Sequence, residues 1–94
     1  MSRFLLVTTR HVAAARQQAY DAQWTRLRSA VVEAGGRAWR FRKPENPLHH
    51  IEFIEWKQPG DSALTETEPV RTALAQLDST AAAVSRETWE DIET

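Results

Sequence analysis

RAWRFRKPENPLHHIEFIEW, residues 37–56, decides how this chain is read, because it alternates like two strands on either side of a break. In the first arm Trp39 and Phe41 point one way while Ala38, Arg40 and Arg42 point the other, since strand side chains alternate. In the second arm Ile51 and Phe53 share a face with His49 and Glu55. Leu48, His50, Glu52, Ile54 and Trp56 lie opposite. The segment Lys43–Pro47 cannot continue a central strand, because each proline lacks an amide donor and restricts its predecessor. Pairing Arg42 with Leu48 sets Arg40 beside His50, Ala38 beside Glu52 and Trp39 beside Ile51. Trp39, Phe41, Ile51 and Phe53 then make one apolar face, which a slip of one residue would mix with arginines. The other face mixes Arg40, Arg42, His50 and Glu52 with Leu48, Ile54 and Trp56. Two unequal, partly apolar faces imply helices on one side and a protein partner on the other, with the mixed face expected to be the open one.

Upstream, Phe4–Thr9 is a short run of strand formers suited to a central strand, and Arg10-His11-Val12 reads as a connection. From about Ala13 to Ala34, Tyr20, Trp24, Leu27, Val31 and Ala34 recur at helical spacing, and Gly35-Gly36 supplies the stop. Downstream, Lys57–Gly60 reads as a turn, and Asp61 or Ser62 can cap a short helical turn carrying Leu64. Thr67-Glu68-Pro69 opens a second helix, with Val70, Ala73, Leu74 and Leu77 as its buried stripe and Asp78-Ser79-Thr80 as its end. The segment Ala81–Trp89 is expected to be a strand, with a short helix as the alternative. The order β-α-β-β-α-β predicts an α+β, ferredoxin-like fold, a four-stranded antiparallel sheet with both helices on one face.

Composition narrows the function classes. At 94 residues the chain is expected to be a single domain spanning 1–94, and it contains no cysteine, which excludes disulfides, thiolate metal sites and thiol catalysis. No apolar run reaches the roughly 20 residues that span a bilayer, and MSRFLLVTTR is too short in its apolar part for a secretory signal, so a cytoplasmic protein is expected. The net charge of −1 gives no reason to expect nucleic acid or an anionic membrane. Residues 1–43 carry nine Arg and Lys against Asp21 and Glu33, whereas residues 44–94 carry three against eleven acids. Strands from the two halves are expected to alternate in the sheet and neutralise each other. The same element order builds RNA-recognition domains, but the third strand here carries Glu52 and Glu55 and lacks their basic, glycine-containing motif.

The aromatic stripe YDAQW in the first helix, the hairpin ending in IEFIEW and the proline-started helix EPVRTALAQL together resemble the dimeric α/β-barrel superfamily, in particular its antibiotic-biosynthesis-monooxygenase-like branch. The resemblance implies a homodimer in which two open sheets face each other around a cavity. It also implies activities such as cofactor-free oxygenation of a small aromatic or quinol-like compound. No catalytic signature selects that activity, and a non-catalytic small-molecule-binding or regulatory module, or a purely structural dimer, stands beside it.

Arg40, His50 and Glu52 are the candidate reactive group: His50 to move a proton, Glu52 to orient it, Arg40 to hold a carboxylate or phenolate. Cross-strand ion pairing at an interface is the competing explanation. Ile54 and Trp56 would supply apolar walls for an aromatic or carboxylate-bearing ligand. His49 and His50 point to opposite faces and cannot share a metal in a regular strand, no metal spacing is present, and no cofactor is expected. There is no glycine-rich phosphate loop and no nucleophile elbow. Tyr20 and Trp24 read as core.

Overall fold

The computed structural model describes residues 2–58 and 63–93. Strand β1 (Ser2–His11) leads through a 3-10 turn into helix α1 (Gln17–Glu33), followed by β2 (Arg37–Lys43), β3 (Asn46–Gln58), a second 3-10 turn, helix α2 (Glu68–Asp78) and β4 (Ala83–Glu90). The strands form one antiparallel sheet in the order β2-β3-β1-β4. Basic and acidic strands therefore alternate, as the charge distribution requires. The ambiguous tail is a strand, and the expected ferredoxin-like β-α-β-β-α-β architecture is the observed one. Of the expected turn at Lys57–Gly60, Lys57 and Gln58 instead continue β3, paired with Arg3 and Ser2 of β1, while Pro59-Gly60 and the cap at Asp61 or Ser62 lie outside the described residues.

Local chemistry explains the boundaries. Tyr20, Trp24, Leu27 and Val31 are the buried stripe of α1, and Val70, Ala73, Leu74 and Leu77 that of α2. The α1 stripe stops one turn short of the expected one, because Ala34 is the exposed C-cap. Gly35, at φ +92°, and Gly36 return their amides to the carbonyls of Val32 and Val31, a Schellman stop. A side chain at Gly36 would meet Leu64 Cδ1 at 2.7 Å and the Glu55 carbonyl oxygen at 2.8 Å. The proline of α2 sits in its first turn, where no amide bond is lost.

Three expectations are corrected. Arg10 and His11 belong to β1 instead of a connection, with Arg10 paired to His50 and His11 to His49. The hairpin loop contracts to Pro44-Glu45, and the ladder runs Arg42↔His50, Arg40↔Glu52, Trp39↔Phe53 and Ala38↔Ile54. The register is thus two residues from the expected one. The cause is an irregularity after the turn: Lys43 pairs with Asn46, and Pro47-Leu48-His49 bulge out before regular pairing resumes. Leu48 uses the bulge to accept a 2.8 Å hydrogen bond from the Val12 amide. A shift of two preserves the alternation, so the grouping of side chains by face survives.

The third correction concerns which face the helices cover. They pack on the mixed face, where His50, Glu52, Ile54 and Trp56 are buried together with Leu6, Thr8 and Arg10 of β1. Trp39, Phe41, Ile51 and Phe53 lie on the open face with Leu5 and Val7. The physical reason is charge pairing that the β2–β3 hairpin alone does not reveal. Glu52 can be buried because Arg10 comes from the neighbouring strand to meet it, at 2.7 Å.

Candidate functional site

Between the N-terminal half of α1 and the β2–β3 hairpin lies an open cleft of about 560 Å³. Ala14, Gln17 and Asp21 line it from the helix side, Arg40, Phe41 and Arg42 from β2, and Pro47, Leu48 and His50 from β3. Helical spacing of four places Gln17 and Asp21 on one edge of α1, directly beside the buried Tyr20. Strand alternation places Arg40 and Arg42 toward the same helix, and the bulge opens the hairpin at Leu48.

His50 is the titratable group at the floor of the cleft. Its imidazole is 5% exposed and lies 3.2 Å from Gln17 Oε1 through Nε2. It also packs against the Tyr20 ring at a 4.6 Å centroid separation. Burial, reinforced by the positive charges of Arg40 and Arg42, lowers its pKa below 6.5. The imidazole is therefore neutral near pH 7. With the Nε2 proton donated to Gln17, Nδ1 holds the lone pair.

Beneath it runs a buried polar chain. Glu52 Oε2 accepts hydrogen bonds from Arg10 Nε at 2.7 Å and from the Tyr20 hydroxyl at 2.8 Å. Arg10 Nη1 continues to Asp78 Oδ1 at 2.6 Å, and the same oxygen accepts from Arg86 Nη2 at 2.6 Å. Arg10 Nη2 and Glu52 Oε1 have no protein partner among the described residues. Burial raises the Tyr20 phenol well above its ordinary range, and the adjacent Glu52 carboxylate adds to the effect. Tyr20 is a hydrogen-bond donor here, not a base. Burial opposes the charge of Asp78, but Arg86 and Arg10 outweigh it and hold the carboxyl below 3.8.

Arg40 occupies the opposite wall. It donates to Asp21 Oδ1 at 2.8 Å, and its guanidinium lies 5.1 Å from the Tyr20 ring centroid and 5.4 Å from that of Trp24. On its far side lies a second open groove of about 670 Å³ between α1 and β2, lined in part by Thr25, Arg28 and Trp39. Among the described residues that line it there is no His, Asp or Glu.

Of the residues singled out from sequence, the structure brings Arg40 and His50 together on the cleft. Glu52 lies beneath them, committed to Arg10 and Tyr20. Ile54 and Trp56 face α1 and α2 in the core instead of an open surface, and neither lines the cleft. Gln17 and Arg10 were not foreseen: glutamine in a helix carries no signal, and Arg10 was hidden by a strand end placed too early. No three His, Asp or Glu side chains come together as a metal site among the described residues.

No family model matches the sequence, and no curated protein matches it. Solved structures do. A protein of Nitrosomonas europaea, described as a candidate antibiotic biosynthesis monooxygenase, superposes with a TM-score of 0.76 at 13% identity, covering 97% of this chain and 91% of that one. The chain has the fold of antibiotic-biosynthesis-monooxygenase-like proteins. Another neighbour, SnoaB of Streptomyces nogalater in its N63A form, is a cofactor-independent oxygenase, with a TM-score of 0.68 at 15% identity over 100% of this chain and 97% of that one. A conserved protein of Methanosarcina mazei reaches 0.77 at 15% identity over 100% and 95%. No helix among the described residues is long and apolar enough to cross a membrane.

Proposed function

We propose that the cleft binds a small aromatic, quinol-like compound and that His50 removes a proton from it to start a monooxygenation that needs no cofactor. The observation that carries this reading is a neutral, buried imidazole at the floor of a cleft flanked by two arginines. A base must be unprotonated at working pH, and the surroundings of His50 ensure that. Loss of the proton leaves an electron-rich carbanion or phenolate, which the fixed guanidinium of Arg40 stabilises as charge develops. That anion can pass electrons to dioxygen directly. At an activated CH2, one oxygen atom becomes the carbonyl and the other leaves as water with both hydrogens. The shared fold with a cofactor-independent oxygenase supports this chemistry.

The functional unit in this proposal is a homodimer formed through the open sheet face. Trp39 stacks on Phe53 at 5.5 Å, Phe41 meets Phe53 edge-on at 6.0 Å, and Phe41 and Trp89 are 60% and 58% exposed. Contiguous aromatic surface of this kind marks an association site. The two free edges carry opposite charge, Arg37 and Lys43 on β2 and Glu87 and Glu90 on β4, which favours pairing between copies.

Oxygen uptake with an anthrone or a naphthoquinol, in chelator-treated and flavin-free buffer, tests the enzymatic reading. Turnover that His50→Ala abolishes while binding persists supports it. Binding without any oxygen uptake in the wild type rejects catalysis and leaves a ligand-binding module.

A further inference from the structure

Charge bookkeeping around the cleft leaves one residue without a role. Among the described residues Asp21 is the one carboxylate lining the cleft, and Arg40 neutralises it at 2.8 Å. Arg40 is further immobilised over Tyr20 and Trp24, so its guanidinium acts from a fixed position and cannot reach out to a carboxylate at the rim. His50 is bonded to Gln17, and Glu52 is screened behind Arg10 and Tyr20. Arg42 is different. It stands opposite His50 in the ladder, lines the cleft, is exposed, and its side chain makes no hydrogen bond or ion pair with any described residue. The lining therefore carries one uncompensated positive charge, on a side chain free to reach into the cleft.

We infer that Arg42 is the specificity-determining residue of this cleft and that the preferred ligand is an aromatic monocarboxylate. The inference rests on the cleft being the ligand site. A single unpaired guanidinium matches one carboxylate by a forked pair of N–H donors, whereas a phosphate dianion would keep a second charge unmatched. Ala14, Pro47 and Leu48 offer apolar surface for the ring, and about 560 Å³ accommodates a fused bicyclic compound within the ordinary range of ligand sites. In this arrangement Arg42 anchors the acid group at the rim while the ring carries its reactive carbon inward toward His50.

The test compares 2-naphthoate with its neutral counterpart 2-naphthamide by calorimetry at pH 7.5, on wild type, Arg42→Gln and Arg42→Lys. Wild type is expected to prefer the acid by about tenfold, the size of a charge-assisted hydrogen bond. Arg42→Gln removes that preference without changing naphthamide affinity, and Arg42→Lys restores part of it, a point charge replacing the fork. The preference also shrinks with added salt. An acid preference that survives Arg42→Gln, or naphthamide binding as well as naphthoate in the wild type, overturns the inference and leaves the cleft as a site. If neither compound binds at millimolar concentration, the cleft reading itself fails, and the inference with it.

Discussion

On the helix-covered face of the sheet, Arg10, His50 and Glu52 are buried among Leu6, Ile54 and Trp56, while on the open face Trp39, Ile51 and Phe53 stay half-buried and Phe41 is exposed. Apolarity alone would have arranged them the other way. The difference is made by partners. The mixed face supplies a partner for two helix side chains: the Tyr20 hydroxyl donates to Glu52, and Gln17 accepts from His50. The open face offers the helices no such partner, since its own polar groups pair across strands around the aromatic patch, Thr9 with Ser85 and Arg37 with Glu55. A face can be buried in the fold because its charges are solved internally, and left open because its centre is aromatic.

The sharpest way to break this comparison is to place one carboxylate on each face at neighbouring positions. Ile54→Asp puts a charge under both helices, at a side chain 2% exposed whose direct ladder partners are the apolar Leu6 and Ala38. Loss of the folded state is expected, seen as absence of a cooperative melt, because an isolated buried charge exceeds ordinary mutational costs. Phe53→Asp, one residue away on the open face, should keep the helical circular dichroism and melt cooperatively, but sediment as a monomer. If the two variants behave alike, the faces are misassigned.

Next in size is the buried ion pair. Arg10→Met strands Glu52 in the core and is expected to cost roughly 3–5 kcal/mol by denaturant titration. Arg10→Met combined with Glu52→Gln removes the charge while keeping an acceptor for Tyr20, and should recover most of the loss. If the double variant is as unstable as the single one, Arg10 contributes through packing and not through Glu52. Trp24→Ala, under α1 at 5% exposure, should cost a similar roughly 3–5 kcal/mol through the cavity it leaves.

Element order, helix stripes and strand parity were legible in the sequence because each depends on periodicity along a few neighbouring residues. Gly35-Gly36 marked the helix end, and Glu68-Pro69 marked a helix start, by local backbone chemistry alone. The orientation of the sheet was not legible, because it turns on Arg10, 42 positions before its partner Glu52. Reading Arg10 as loop removed the one cation that makes the mixed face buriable. The cleft was half legible: Arg40 and His50 share a strand face by alternation, but Gln17, Asp21 and Tyr20 join them only through the packing of α1. The two-residue register error has a similar origin, since a bulge after a proline leaves no periodic trace.

The smallest expected effect, and the most specific to the cleft, is a dependence of stability on pH near neutrality. Desolvation first, and then the charges of Arg40 and Arg42, hold the His50 pKa below 6.5, while Asp21 opposes them weakly and His49 adds to the lowering. In the unfolded chain the imidazole returns to its ordinary value, so between the two pKa values the unfolded state binds more protons. Stability is then present in full above about pH 6.5 and falls as pH drops through the folded-state value. His50→Gln should flatten this slope while retaining the acid loss below 3.8 that belongs to Asp78 with Arg86 and Arg10. Arg42→Gln should reduce the slope without erasing it, because it removes one repelling charge and leaves burial untouched. Thermal melts at half-unit pH steps from about 2.5 to about 8 separate the two windows. A slope near neutrality that is unchanged in His50→Gln would mean that the imidazole is not the desolvated group, and the neutral base at the cleft floor would lose its support.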